Sequence, residues 1–202
     1  MIDAHELQKI AILDIANAFL HAENDEKIIM FLGGRLAEMM VQVDPAMYRK
    51  YMTYSPNGQA MLYVRLSKAL YGMLRAALLF YKRWRSDLEN MGFEVNPYDP
   101  CVANKMVNGH QMTICWHVDD LKVSHKEEST VTALAMKLSE LYGSKTTICC
   151  GKVHKYLGMD IDWATDPGTM IVSMIKYLYK IIEEFLEIIK GTRSSPAGAS
   201  LY

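Results

Sequence analysis

Two adjacent carboxylates, Asp119 and Asp120, sit between two runs in which apolar and polar residues alternate. Ile114, Trp116 and Val118 precede them and Leu121 and Val123 follow, which predicts two strands meeting at a tight turn. Aspartate suits a turn because its side chain bonds nearby backbone. Two of them in a partly dry place are less ordinary, since each charge raises the other's pKa. A divalent cation relieves that repulsion, and carboxylate oxygens are the donors Mg²⁺ prefers. On its own, such a turn is also what a solvated loop looks like.

A third acid gives the pair its interest. Lys9 to Asp14 (KIAILD) is a short apolar run that predicts a buried strand ending in an acid. The stretch from Asp14 to Phe19 then leaves through a tight turn into a short helix, and alone Asp14 would read as a helix cap. If this strand and the one after Asp120 are central neighbours, three carboxylates converge on one point.

The elements that would position these acids follow from periodicity. Asn108-Gly109 is a strong hairpin signal between Cys101–Met106 and His110–Val118, so three antiparallel strands form a meander with the acids at its second turn. Leu70 to Met91 predicts a helix with Leu70, Leu74, Ala77, Leu78, Tyr81, Trp84, Leu88 and Met91 on its apolar stripe. Arg75, Lys82, Arg83 and Arg85 fall off that stripe, as a solvated face or as phosphate contacts. Ser129 or Thr130 is expected to cap a helix whose face is Val131, Leu134, Ala135, Leu138 and Leu141. Between His21 and Ser67 a strand (27–32), a helix (35–43) stopped near Pro45, and a second strand (59–66) read as an insertion. Strands at 153–163 and 170–174 are joined by a turn at Asp166-Pro-Gly168. A last helix, Ile175 to Lys190, has a band of Ile175, Leu178, Ile181, Ile182, Phe185, Leu186, Ile188 and Ile189, wide enough to pack on more than one neighbour. Residues 191–202 read as a linker-like tail. The expected architecture is α+β, an antiparallel sheet with helices packed on one face.

Composition narrows the classes. The chain has 202 residues, half of them apolar, and a net charge of −1, so it carries no global basic field of the kind that free-standing nucleic-acid binders use. Any basic surface must be local. No apolar run approaches the ~20 residues of a membrane span. Cys101, Cys115, Cys149 and Cys150 form no Cys-x-x-Cys and read as reduced cysteines of an intracellular, not secreted, protein. Cys149, Cys150 and His154 lack the matched second pair that a zinc site needs.

The order LDIANAFL (13–20), LSKALYGMLRAALLFYKRW (66–84), NPYDPCV (96–102), WHVDDLKVSH (116–125), KYLGMDI (155–161) and SMIKYLYKIIEEF (173–185) closely resembles the reverse transcriptase of copia-type LTR retrotransposons. The resemblance runs from about residue 5 to 200, with its motifs in order. It implies a right-hand polymerase palm over residues 1–190, with a partial fingers insertion at about 20–66 and the start of a thumb or connection helix at 175–190. It implies RNA-directed DNA polymerisation by nucleotidyl transfer to a primer 3′-hydroxyl, with an RNA template, a DNA primer and dNTPs as partners. Two Mg²⁺ or Mn²⁺ ions would be held by Asp14, Asp119 and Asp120 and the backbone of Ile15. By the same resemblance Phe19 is a steric gate against ribonucleotides, while Ile15 and Arg75 line the nucleotide pocket. His117 and the hairpin Tyr156-Leu157-Gly158 meet primer and template. The location implied is the cytoplasm, within a virus-like particle, or the nucleus.

Three departures stand out. His117 occupies the place of the family's usual Tyr, Arg75 that of Gln, and Ala77 that of Pro. Fingers sequence is expected to be incomplete ahead of Asp14, the thumb largely absent, and no RNase H-like sequence follows. The competing expectation is therefore a truncated, inactive remnant that serves at most as a binding module. A different two-metal phosphoryl-transfer enzyme is a third reading, but no P-loop pattern supports it.

Overall fold

The computed structural model describes residues 8–143, 147–163 and 168–185. Its centre is a six-stranded antiparallel sheet in which β1 (Lys9–Asp14) lies between β8 (Asp120–His125) and β9 (Thr147–Gly151). On the far side of β8 follow β7 (His110–His117), β6 (Val102–Val107) and β5 (Glu94–Val95). Alternation decides which face is buried. Ala11 and Leu13 of β1, Ile114 and Trp116 of β7, and Leu121 and Val123 of β8 all enter one core. That core is completed by helix α3 (Ala76–Asn90) through Phe80, Trp84 and Leu88, and by α4 (Glu128–Tyr142) through Val131, Leu134, Ala135 and Leu138. Trp84 is its centre, fully buried, edge-on to Trp116 at 6.1 Å and tilted against Tyr142 at 5.8 Å. The Tyr142 hydroxyl donates to the Asp87 carboxylate at 2.5 Å, and Arg83 donates to the same carboxylate at 2.7 Å.

The opposite face of β1 carries Ile10 and Ile12, which pack on Tyr156 and Ile161. These belong to a second antiparallel sheet of β10 (Val153–Tyr156), β11 (Met159–Asp162) and β12 (Ile171–Ser173). A third sheet, β2 (Ile29–Gly33), β4 (Ala60–Arg65) and β3 (Thr53–Tyr54), forms the insertion between residues 21 and 67. Helix α1 (Arg35–Val43) covers one face of it, with Ala37 against Ala60 and Leu62. The base of the insertion is stitched by the Asn24 N–H to the Ser67 carbonyl at 2.9 Å and the Leu66 N–H to the Ile28 carbonyl at 3.0 Å.

Several expected boundaries move. The helix expected over 70–91 begins only at Ala76, because Gly72 (φ 90°) sits in a turn; Leu74 is fully solvent-exposed. The buried stripe is Ala76, Leu79, Phe80, Trp84 and Leu88, so Ala77 and Leu78, assigned to it above, lie outside it. The helix over 35–43 does stop just before Pro45, and Pro45 also opens a short helix α2 (Pro45–Tyr48) capped by the Asp44 carboxylate, which accepts from the Met47 N–H at 2.9 Å. Helix α4 starts after Glu127, and Ser129 and Thr130 lie inside its first turn rather than at its cap. The strand expected over 153–163 is a hairpin, turned at Leu157 (φ 51°) and Gly158 (φ 77°). Strand β9 had no counterpart in the sequence reading. The last helix, α5 (Ile175–Glu184), leaves Ile175, Leu178, Ile182 and Phe185 more than half exposed instead of packed on two neighbours. Its expected continuation over 186–190, the tail 191–202, and Asp166 and Pro167 of the expected turn lie outside the described residues. Among the described residues no helix is long and apolar enough to cross a membrane.

Candidate active site

The register of β1 against β8 brings the acids together. Asp14 ends one strand, Asp120 begins the other, and the two are direct cross-strand partners. His117 faces Asp120 across the next pair, so His117, Asp120 and Asp14 form a row over three strands. Because Leu13 and Leu121 face the helices, their neighbours Asp14 and Asp120 point to the opposite side of the sheet. Asp119 lies in the turn itself, where the Ile15 N–H donates to its carbonyl at 3.1 Å. That bond fixes the end of β1 to the acid turn, and it leaves the Ile15 carbonyl as the backbone group with which Ile15 could help hold an ion.

The turn is strained. Val118, a β-branched residue, has φ 59°, in the left-handed region that glycine tolerates and valine does not. Conformations of this kind cost about 1–3 kcal/mol and cluster at functional sites. The charges are strained as well. Burial and then the Asp119 charge push the Asp14 carboxyl above the ordinary carboxylate range. Asp120 is raised by burial, then by Asp119 and Asp14, and His117 opposes the rise. Three acids that repel one another in a partly dry place suit a hard cation. Among the described residues, however, no three His, Cys, Asp or Glu side chains stand close enough to enclose an ion by themselves. Mg²⁺ commonly takes only one or two carboxylates and completes its shell with substrate phosphates and water, so this donor set fits it. Cys149, Cys150 and His154 form no such group either; the buried His154 has its Nε2 2.9 Å from the Gly151 carbonyl.

The remaining expected site residues divide. Phe19 is half-buried, with its ring 4.5 Å from that of Tyr71 and 6.3 Å from Phe80. Tyr71 went unremarked in the sequence, yet burial and then the charges of Asp119 and Asp14 raise its hydroxyl pKa. An aromatic residue just before Gly72 was its only sequence signal. Arg75 is held elsewhere: its guanidinium binds Asp25 at 2.9 Å and also pairs with Glu26, at the base of the insertion. Arg83 and Arg85 pair along their own helix with Asp87 and Glu89. Tyr156 is buried in the second core, and Asp120 is among the charges that raise its hydroxyl pKa. Leu157 and Gly158 form the exposed tip of the same hairpin.

Residues 1–195 match the sequence profile of the family described as reverse transcriptase (RNA-dependent DNA polymerase). The chain belongs to that family. Among curated relatives, it is similar to the retrovirus-related Pol polyprotein from transposon TNT 1-94 of Nicotiana tabacum, at 24% identity over 174 residues. The match covers 86% of this chain and 12% of that polyprotein, and it supports a copia-type reverse transcriptase domain. Among solved structures, apo telomerase from Candida tropicalis aligns over 78% of this chain and 32% of its own, at TM-score 0.41 and 12% identity. Telomerase from Candida albicans in complex with a fragment of telomeric RNA aligns over 77% and 30%, at TM-score 0.40 and 12% identity. Overlaps that loose carry no argument.

Proposed function

We propose that this reverse transcriptase domain is a polymerase palm, and that Asp14, Asp119 and Asp120 hold two divalent ions for nucleotidyl transfer to a primer 3′-hydroxyl. The observation that carries the reading is the pairing of Asp14 with Asp120 beside the Asp119 turn, with the Asp14 and Asp120 carboxyls raised by burial and then by neighbouring acid charge. When bound, the ions would supply activation of the attacking hydroxyl and stabilisation of the leaving pyrophosphate. The protein's own part is positioning. Asp14 and Asp120 present carboxylates from adjacent strands, and the Ile15–Asp119 bond keeps them in register. Phe19, backed by Tyr71 and Phe80, is the bulk that would exclude a ribose 2′-hydroxyl. His117, in the row with the acids, and the tip at Leu157-Gly158 are the groups offered to primer and template. The insertion over about 20–66 is fingers-like, and α5 begins a thumb or connection.

The test is primer extension on poly-rA/oligo-dT with Mg²⁺ or Mn²⁺, comparing the parent with the Asp119→Asn, Asp120→Asn variant. Extension by the parent alone supports the assignment. Extension by both removes the acids from the mechanism. A second reading, a domain that does not polymerise by itself, is favoured by the engagement of Arg75 with Asp25 and Glu26 instead of with the acids. It predicts no extension by either folded protein.

A further inference from the structure

Helix α1, RLAEMMVQV, carries two apolar stripes at helical spacing. Ala37 and Val41, four apart, are its buried residues, and Ala37 packs on Ala60 and Leu62 of the insertion sheet. Leu36, Met39 and Val43, spaced by three and then four, form the second stripe, turned away from the sheet. They are 59%, 47% and 79% exposed. One face of a helix is enough to cover a sheet, so the second stripe does nothing for the fold of the insertion. Contiguous large apolar side chains left in water are the mark of a surface that another molecule covers.

Spacing and charge both say what that molecule is. The stripe is symmetric about Met39, so an antiparallel copy of α1 presents Val43, Met39 and Leu36 where this one presents Leu36, Met39 and Val43. A two-fold axis therefore brings each Leu36 beside the other copy's Val43 and the two Met39 side chains together. Arg35 supplies the second observation. It stands in the first turn, at the positive end of the helix dipole, where a cation is unfavourable. Among the described residues it is in no salt bridge, whereas Arg75, Arg83 and Arg85 all are. In the antiparallel pair each Arg35 reaches the carboxyl end of the other helix, where the dipole is negative and the Asp44 carboxylate follows. The stripe itself holds no charge to oppose the contact.

We infer that α1 is a contact between two copies of this chain, packed antiparallel through Leu36, Met39 and Val43 with Arg35 at the far end of the partner helix. An unrelated helix could match the apolar side chains, but a second copy matches the spacing and the charge together. One short helix from each copy makes a small interface, so the association is weak and reversible, on the order of 10–100 µM. It stands whether or not the three acids catalyse transfer, because α1 belongs to the insertion and not to the strands that carry them.

The test is sedimentation velocity of the full chain over a range of concentrations, with thermal melts to show that each variant is folded. The parent should pass from monomer to dimer as concentration rises. Val43→Glu places a charge in the contact twice, once from each copy, and should weaken the dimer about tenfold or more. Arg35→Glu should weaken it severalfold while leaving the melt unchanged or higher, since an acid suits the start of its own helix. Gln42, seven residues from Arg35 and so on the same flank, is exposed and faces the other copy's Arg35 in this arrangement. Gln42→Lys should therefore also weaken the dimer severalfold, and an equal mixture of the Arg35→Glu and Gln42→Lys proteins should associate as well as the parent. A parent that stays monomeric at about 300 µM overturns the inference. So does a folded Val43→Glu protein that associates as before, or a mixture that fails to restore what its two components lost. Loss of the dimer in Ile182→Glu with none in Val43→Glu would move the contact to α5 and overturn it as well.

Discussion

Asn108 and Gly109 close one end of β7, and Val118 and Asp119 close the other. Both turns join antiparallel neighbours through two residues, and both require positive φ. At the first, the angles of 50° and 77° fall on asparagine and glycine, the residues that accept them most readily. At the second, 59° falls on a valine. One strand thus carries a turn that helps it fold and a turn that folding must overcome. The second is where the acids stand, and its strain is sustained by the core under Trp116 and by the Ile15–Asp119 bond.

The contrast can be broken from beneath. Trp84→Ala empties the site against which Trp116 rests, and it should cost about 3–5 kcal/mol in urea denaturation, undoing both ends together. Gly109→Ala tests the relaxed turn: no atom lies within 4 Å of the added Cβ, so the whole loss, about 1–2 kcal/mol, is backbone. Val118→Gly should move the other way. Relief of the strain, reduced by glycine's entropy, should stabilise the protein by about 1 kcal/mol. A destabilised Val118→Gly protein would show the strain to be absent.

The smallest effect is electrostatic. Asp14 and Asp120 bind protons more tightly in the folded chain than their ordinary carboxylate values, so they favour the fold at low pH. That contribution is complete below the unfolded value, near 3.8, and it is lost as pH rises through the raised folded values. Asp14→Asn should therefore melt about 2 °C higher than the parent at pH 7, a fraction of 1 kcal/mol, and the two curves should meet below about pH 4. A gap that persists in acid would assign the effect to packing instead.

Periodicity carried the centre of the fold further than its margins. KIAILD has the bounds of β1, 35–43 those of α1, and Asn108-Gly109 marks its hairpin, because in each the local pattern and the tertiary surroundings agree. The approach of Asp14 to Asp120 was legible only on the condition that their strands are neighbours, which alternation could not supply and the β1–β8 pairing does. Failures came where local signals competed. Leu70 and Leu74 kept helical spacing, but Gly72 turned the chain, and the true stripe of α3 starts at Ala76. Periodicity ran a strand through Leu157-Gly158, where only the family resemblance marked a hairpin, and β9 has too little alternation to announce itself. Arg75 could not be placed from spacing, because its carboxylate partners lie some fifty positions earlier in the chain.

The neighbours of β1 also set an order of events during synthesis. Asp14 pairs with Asp120 on one side and with the backbone of Thr147 on the other, residues the ribosome delivers more than a hundred positions later. Contacts of such sequence separation form late, because a large loop must close before they contribute anything. Until those residues emerge KIAILD is therefore an unpaired apolar ribbon, the kind of segment that chaperones hold and that aggregates recruit. The acidic centre has no early, local precursor; it comes into being only after more than a hundred further residues have followed Asp14.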